Sequence, residues 1–238
     1  MIYDYKKFLV TNIHSFAGYT ALYLFITIFF TQTICLSYNF DTETQKCLNA
    51  ANSNYGSIYE CIYQSKIRYI EQSRNLKTNL ALVQPRNTYN LIIQNQLLLD
   101  LYIENIENGE LKILKETNGI MYQTFAEDIL SNVYLTNIQI LNLLYGQKLS
   151  NKNLTISNVS IKKLEKQIDE ILEILKNKLD EKQYQKILNS QQAWKLYRRN
   201  TQENILTHVC NIDANNYIKH VILENRIMCL KRTLSALQ

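Results

Sequence analysis

Apolar residues recur at intervals of three and four over long stretches of this chain, most clearly at Ile161, Leu164, Ile168, Ile171, Leu175 and Leu179. That spacing puts all six on one stripe of a helix. An earlier stretch, residues 54–82, repeats through Ile58, Ile62, Ile70, Leu76 and Leu80. It stops ahead of Pro85, which disfavours helix in the residue before it. Residues 88–146 are rich in Leu and Ile and are divided by Asn108-Gly109 and Asn118-Gly119, which predicts helices over 89–107 and 121–145 and a short piece over 111–117. A hairpin is the competing reading for the short piece, because Asn-Gly is also a hairpin turn signal. Residues 147–158 are polar and form the best linker, with Ser157 or Ser160 placed to cap the next helix. The helical pattern continues through Tyr184, Ile187, Leu188, Trp194 and Tyr197, and a last amphipathic segment covers 217–237.

Only five glycines and one proline occur in the chain, too few turn signals for an all-β fold, so the expected class is all-α. The stripe from Ile161 to Leu179 needs something to pack against. Fewer than three clean heptads persist before Gln183, and other apolar helices are at hand, so packing within the chain is favoured over an intermolecular coiled coil.

A different pattern precedes the helices. Residues 15–40 are twenty-six consecutive uncharged positions behind the basic pair Lys6-Lys7. Residues 17–36 come close to the ~20 that cross a bilayer as a helix. The block follows positive charge and ends in Cys35-Leu36-Ser37, whose outer residues are small enough for signal-peptidase cleavage. Gln32 and Ile34 are poor residues for a lipoprotein cleavage site at Cys35. Residues 1–37 are therefore read as a signal peptide or membrane anchor, with cleavage near Ser37 preferred. Residues 38–238 are then periplasmic or secreted, or held at the inner membrane through residues 15–37 where the anchor stays.

Without residues 1–37 the chain keeps 24 basic and 20 acidic residues, a net charge of +4. The two signs alternate along the helices, and Lys162-Lys163 and Arg198-Arg199 are short pairs, so no nucleic acid partner is expected. Catalysis finds little support. There is no glycine-rich phosphate loop and no H-E-x-x-H helix. His208, Cys210, His220 and Cys229 carry zinc-binding atoms at spacings that match no compact ligand pair, and a Cys210/His220 nucleophilic pair lacks a third group. No catalytic residue, metal or cofactor is expected. Export also changes how the cysteines read: Cys47, Cys61, Cys210 and Cys229 are an even number in an oxidising compartment, for which three pairings exist.

The run Ser190-Gln191-Gln192-Ala193-Trp194, with Tyr197 and Arg198, resembles the A-Q-x-A-W-x-x-Y-R-D-like run of envelope proteins with a lysozyme-inhibitor LprI-like domain. That family has a cysteine pair before and at the start of a first long helix, and a second pair beside the last helix. Cys47 and Cys61 stand in the first positions, with Asn54 where a capping residue is expected. Cys229, followed by Leu230, Arg232 and Thr233, resembles the closing segment. The resemblance covers about residues 41–82 and 161–238. Arg199 stands where the family has an acidic residue, Gln202 falls where the third cysteine belongs, and Cys210 lies two helical turns further on.

The resemblance implies a disulfide-stapled helical bundle over residues 38–238 with an inserted helical middle region, residues 86–150. It implies the pairs Cys47 with Cys61 and Cys210 with Cys229, each contributing ~3 kcal/mol on chain-entropy grounds. Within that frame Trp194 is expected to pack against the first long helix, with Tyr197 and Arg198 on the same side. The alternative role for Gln192, Trp194, Tyr197 and Arg198 is a partner-binding patch, since Trp, Tyr and Arg dominate interface hot spots. The implied function is binding without catalysis, with a lysozyme-type muramidase as the partner. The +4 charge gives no overall steering towards a cationic lysozyme. The competing function is a membrane-anchored structural or assembly factor whose middle helices bind another envelope protein.

Overall fold

The structure is a computed structural model that describes residues 41–52, 54–118, 121–144, 157–208, 212–235 and 237. The expected leader, the linker at 147–158 up to residue 156, and Cys210 lie outside the described residues. The chain divides into two units, Met1–Glu43 and Thr44–Gln238, and the helical bundle is the second.

Every regular element among the described residues is a helix, as the scarcity of turn signals predicts. The elements are α1 (Thr42–Ala50), α2 (Tyr55–Val83), α3 (Arg86–Asn108), α4 (Glu110–Asn118), α5 (Met121–Leu144), α6 (Asn158–Lys178), α7 (Glu181–Asn200) and α8 (Ile212–Ser235). A π turn, Thr201–Ile205, and a 3-10 turn, Leu206–His208, follow α7. No helix among the described residues is long and apolar enough to cross a membrane.

Local chemistry sets the boundaries. Asn54 caps α2, its side-chain oxygen accepting from the Ser57 N–H at 3.0 Å. The Gln84 backbone is extended ahead of Pro85, so α2 ends there and α3 begins after the proline. Ser157 caps α6 and Asp180 caps α7, accepting from the Ser160 and Gln183 N–H groups at 3.2 and 2.7 Å. The Asp180 cap splits the long periodic run after Leu179 into two helices. Gly109 ends α3, and the short piece after it is helix α4 rather than a hairpin strand. Gly109 is required by close approach: a Cβ there would lie 3.0 Å from the Asn105 carbonyl oxygen and 3.1 Å from that of Lys186 on α7.

The main packing pairs are α2 with α5, α6 with α8, and α3 with α7, while α4 touches α3, α5, α7 and α8. One apolar core runs through them, including Leu80, Leu99, Ile129, Leu175, Trp194 and Leu223. The stripe on α6 buries Ile168, Ile171, Leu175 and Leu179 inside the chain. The stripe expected on α2 shifts in its middle: Ser65, Tyr69 and Ser73 are buried there, and Ile70 is only half-buried. The reason is the neighbour, because α5 brings small and polar groups to the contact. The Ser131 hydroxyl donates to the Ile62 carbonyl at 3.2 Å, and the Asn137 amide to the Ser73 hydroxyl at 3.0 Å. The middle region expected as an insertion supplies α3, α4 and α5, which pack on elements from both flanking parts.

Candidate functional site

The first family-like feature is a covalent clip. Cys47 on α1 and Cys61 on α2 form a disulfide, with Cα atoms 5.7 Å apart. The turn between them depends on Asn52, which holds φ at 45°, a left-handed conformation that asparagine tolerates better than most residues. The Arg68 guanidinium donates to the Thr44 hydroxyl at 2.7 Å, giving α1 a second tie to α2.

Of the second expected pair, Cys210 lies outside the described residues. Cys229 is a free thiol, fully buried on α8. Its side chain points at a guanidinium, with Arg226 Nη1 3.9 Å from its Sγ. Burial pushes the Cys229 thiol well above its ordinary range, the nearby Glu110 carboxylate adds to the rise, and Arg226 offsets part of it. The group is a neutral thiol and a poor nucleophile.

The Trp-Tyr-Arg run lies mostly inside. Trp194 and Tyr197 are buried, and the Tyr197 ring stacks on Tyr102 of α3 with centroids 6.2 Å apart. Trp194 belongs to the shared apolar core, and α7 as a whole packs chiefly on α3. Arg198 forms an ion pair with Glu165 of α6 and lies over the Trp194 ring, 5.3 Å from its centroid. Only Gln192 and part of Arg198 reach the surface. With its two aromatic rings buried, the run cannot present the hot-spot patch offered as an alternative.

What surrounds that run is a buried polar network. Arg226 and Glu110 are both 0 % exposed and meet at 2.6 Å. Arg226 Nε donates to Gln191 Oε1 at 2.7 Å, and Nη2 donates to the Ser190 hydroxyl at 3.0 Å. Ser190 in turn donates to Glu110 at 2.5 Å. The Arg226 guanidinium also lies 5.8 Å from the centroid of the Tyr102 ring. Burial alone would lower the Arg226 pKa, but Glu110 together with Tyr102 and Cys229 raises it above the ordinary arginine value. The network joins α3, α4, α7 and α8 at one point. A second buried pair, Arg232 with Asp128 at 2.6 Å, joins α8 to α5, and Arg232 also lies over the Phe125 ring. Such pairs fix which helix faces meet, since a charge displaced from its partner in a dry interior is costly.

Among the described residues no three His, Cys, Asp or Glu side chains are placed to hold a metal ion. His220 pairs with Glu224 on its own helix at 3.2 Å.

Among the described residues, exposed apolar side chains line up on one helix. On α3, Ile93, Leu97 and Leu101 are 38, 64 and 40 % exposed. Spacing of four residues keeps them on one side of the helix. At the end of α2, Leu82 and Val83 are also exposed.

No family model matches this sequence, and no curated protein matches it. The chain is similar in fold to the crystal structure of an uncharacterized protein from Burkholderia thailandensis, with a TM-score of 0.59 at 14 % sequence identity, over 84 % of this chain and 98 % of that one.

Proposed function

We propose that this chain is an exported envelope protein that works by binding a protein partner, without catalysis, in the way its resemblance to lysozyme-inhibitor LprI-like domains implies. The observation that carries the reading is the Cys47–Cys61 bond. Structural disulfides persist in oxidising compartments outside the cytosol, and this pair stands where the resemblance puts the first one. The apolar block at 15–40 supports the same destination. The interior supports binding over chemistry, because its charged groups are consumed in pairs between helices. A lysozyme-type muramidase is the partner that the resemblance implies.

The test begins with the protein recovered from the cell envelope. Its intact mass, with and without reduction, is expected to show loss of about 37 residues, as signal cleavage requires, and one disulfide. Stoichiometric inhibition of a muramidase by that material supports the inhibitor reading, and no inhibition by correctly oxidised protein removes it.

A second reading has its own observation. The exposed row Ile93, Leu97 and Leu101 lies on α3, within the middle region that a membrane-anchored assembly factor would use to hold another envelope protein. A full-length mass, with residues 1–37 retained, favours it.

A further inference from the structure

The row on α3 is spaced equally to either side of its centre. Leu97 is its centre, Ile93 and Leu101 stand one step of four residues to either side, and exposed Asn90 and Glu104 stand three residues beyond those. At 100° per residue all five keep within about 40° of the helix's outer line. A surface that repeats itself about a central residue suits an antiparallel pairing with itself, because a twofold interface sets each residue against its mirror position on the partner. In that pairing Leu97 meets Leu97, and Ile93 meets Leu101.

The charges on the same helix point to the same occupant. The C-terminal half of α3 exposes Asp100, Glu104 and Glu107, and its last turn has no basic residue. Carboxylates are unfavourable at that end of a helix, where the backbone carbonyls already concentrate negative charge. Its first turn exposes Arg86 beside the positive end of the backbone dipole. An antiparallel second copy brings each positive end against the other's acidic half. A parallel one sets acid against acid.

We propose that α3 is a twofold docking surface for a second copy of this chain, closed by Ile93, Leu97 and Leu101. The proposal does not depend on the inhibitor reading. The seam is narrow, so the dimer belongs with weak interfaces, and its test needs protein concentrations up to roughly 1 mM.

Cross-linking through introduced cysteines tests the geometry on the full chain as recovered from the envelope. Leu97→Cys is expected to give a reducible dimer under mild oxidation. Ile93→Cys and Leu101→Cys are expected to stay monomeric when oxidised singly and to link when mixed, and the parent protein serves as the control. Sedimentation of Leu97→Glu is expected to show dimerisation weakened at least about tenfold with an unchanged circular dichroism spectrum. A parent chain that stays monomeric throughout the range overturns the proposal. So does Ile93→Cys linking to itself as readily as Leu97→Cys, which would mean parallel pairing. A monomer that takes up a different protein on this face overturns it as well.

Discussion

Deleting the Arg226 side chain leaves Glu110 fully buried without its partner, and breaking such a pair from one side costs about 3–5 kcal/mol. Arg226→Met is therefore expected to lower the urea midpoint sharply, while Glu110→Leu combined with Arg226→Met recovers most of the loss. Trp194→Ala removes a buried indole and is expected to cost about 3–5 kcal/mol in the same measurement. Glu224 makes a pH prediction. Burial raises its pKa, with His220 offsetting part of the rise, so the folded chain holds a proton that the unfolded chain has released. Stability from this group therefore falls as pH climbs from the ordinary glutamate range through the raised folded value. Glu224→Gln is expected to remove that slope, giving a larger gain over the parent at about pH 7 than at about pH 4 in denaturation midpoints. Trp194 was legible as a core residue from its place among apolar positions. Arg226 was not, because one sequence displays a charge without saying which distant carboxylate will meet it.

At the scale of elements, starts and stops were the readable part. Asn54, Pro85, Asn108-Gly109 and Ser157 act through their own backbone geometry, and the helices begin and end beside them. Faces were less readable. The pattern on α2 pointed to Ile70, and the structure buries Ser65, Tyr69 and Ser73 because α5 arrives with Ser131 and Asn137. On α3 apolar residues occur all round, and nothing in the sequence says which of them stay uncovered. The surroundings of Cys229 were unreadable for a related reason: the thiol is buried on α8 beside Arg226, a neighbour its own position does not announce. Two helix-level tests come from the geometry. Gly109→Ala drives a methyl against two backbone oxygens that cannot rotate away, so it is expected to destabilise by about 1–3 kcal/mol in thermal unfolding. Cys61→Ser opens the clip on α1 and is expected to cost about 3 kcal/mol, with loss of amide exchange protection confined to α1 and the first turns of α2.

For the molecule as a whole, the all-α class followed from composition, but the standing of the middle region did not. The middle region forms helices α3, α4 and α5 as the pattern predicts, yet α5 packs on α2 and α3 on α7, so these helices are part of the core the flanking segments share. Replacing residues 86–144 with a short linker is expected to abolish the cooperative thermal transition. The two inward-facing carboxylates carry a last consequence. Glu110 and Asp128 lie on α4 and α5, and their cations, Arg226 and Arg232, arrive later in the chain on α8. Before α8 is in place, closing the bundle would bury both carboxyl groups without their partners. A chain lacking α8 is therefore expected to stay open, display its apolar faces and be digested by a protease that leaves the parent intact.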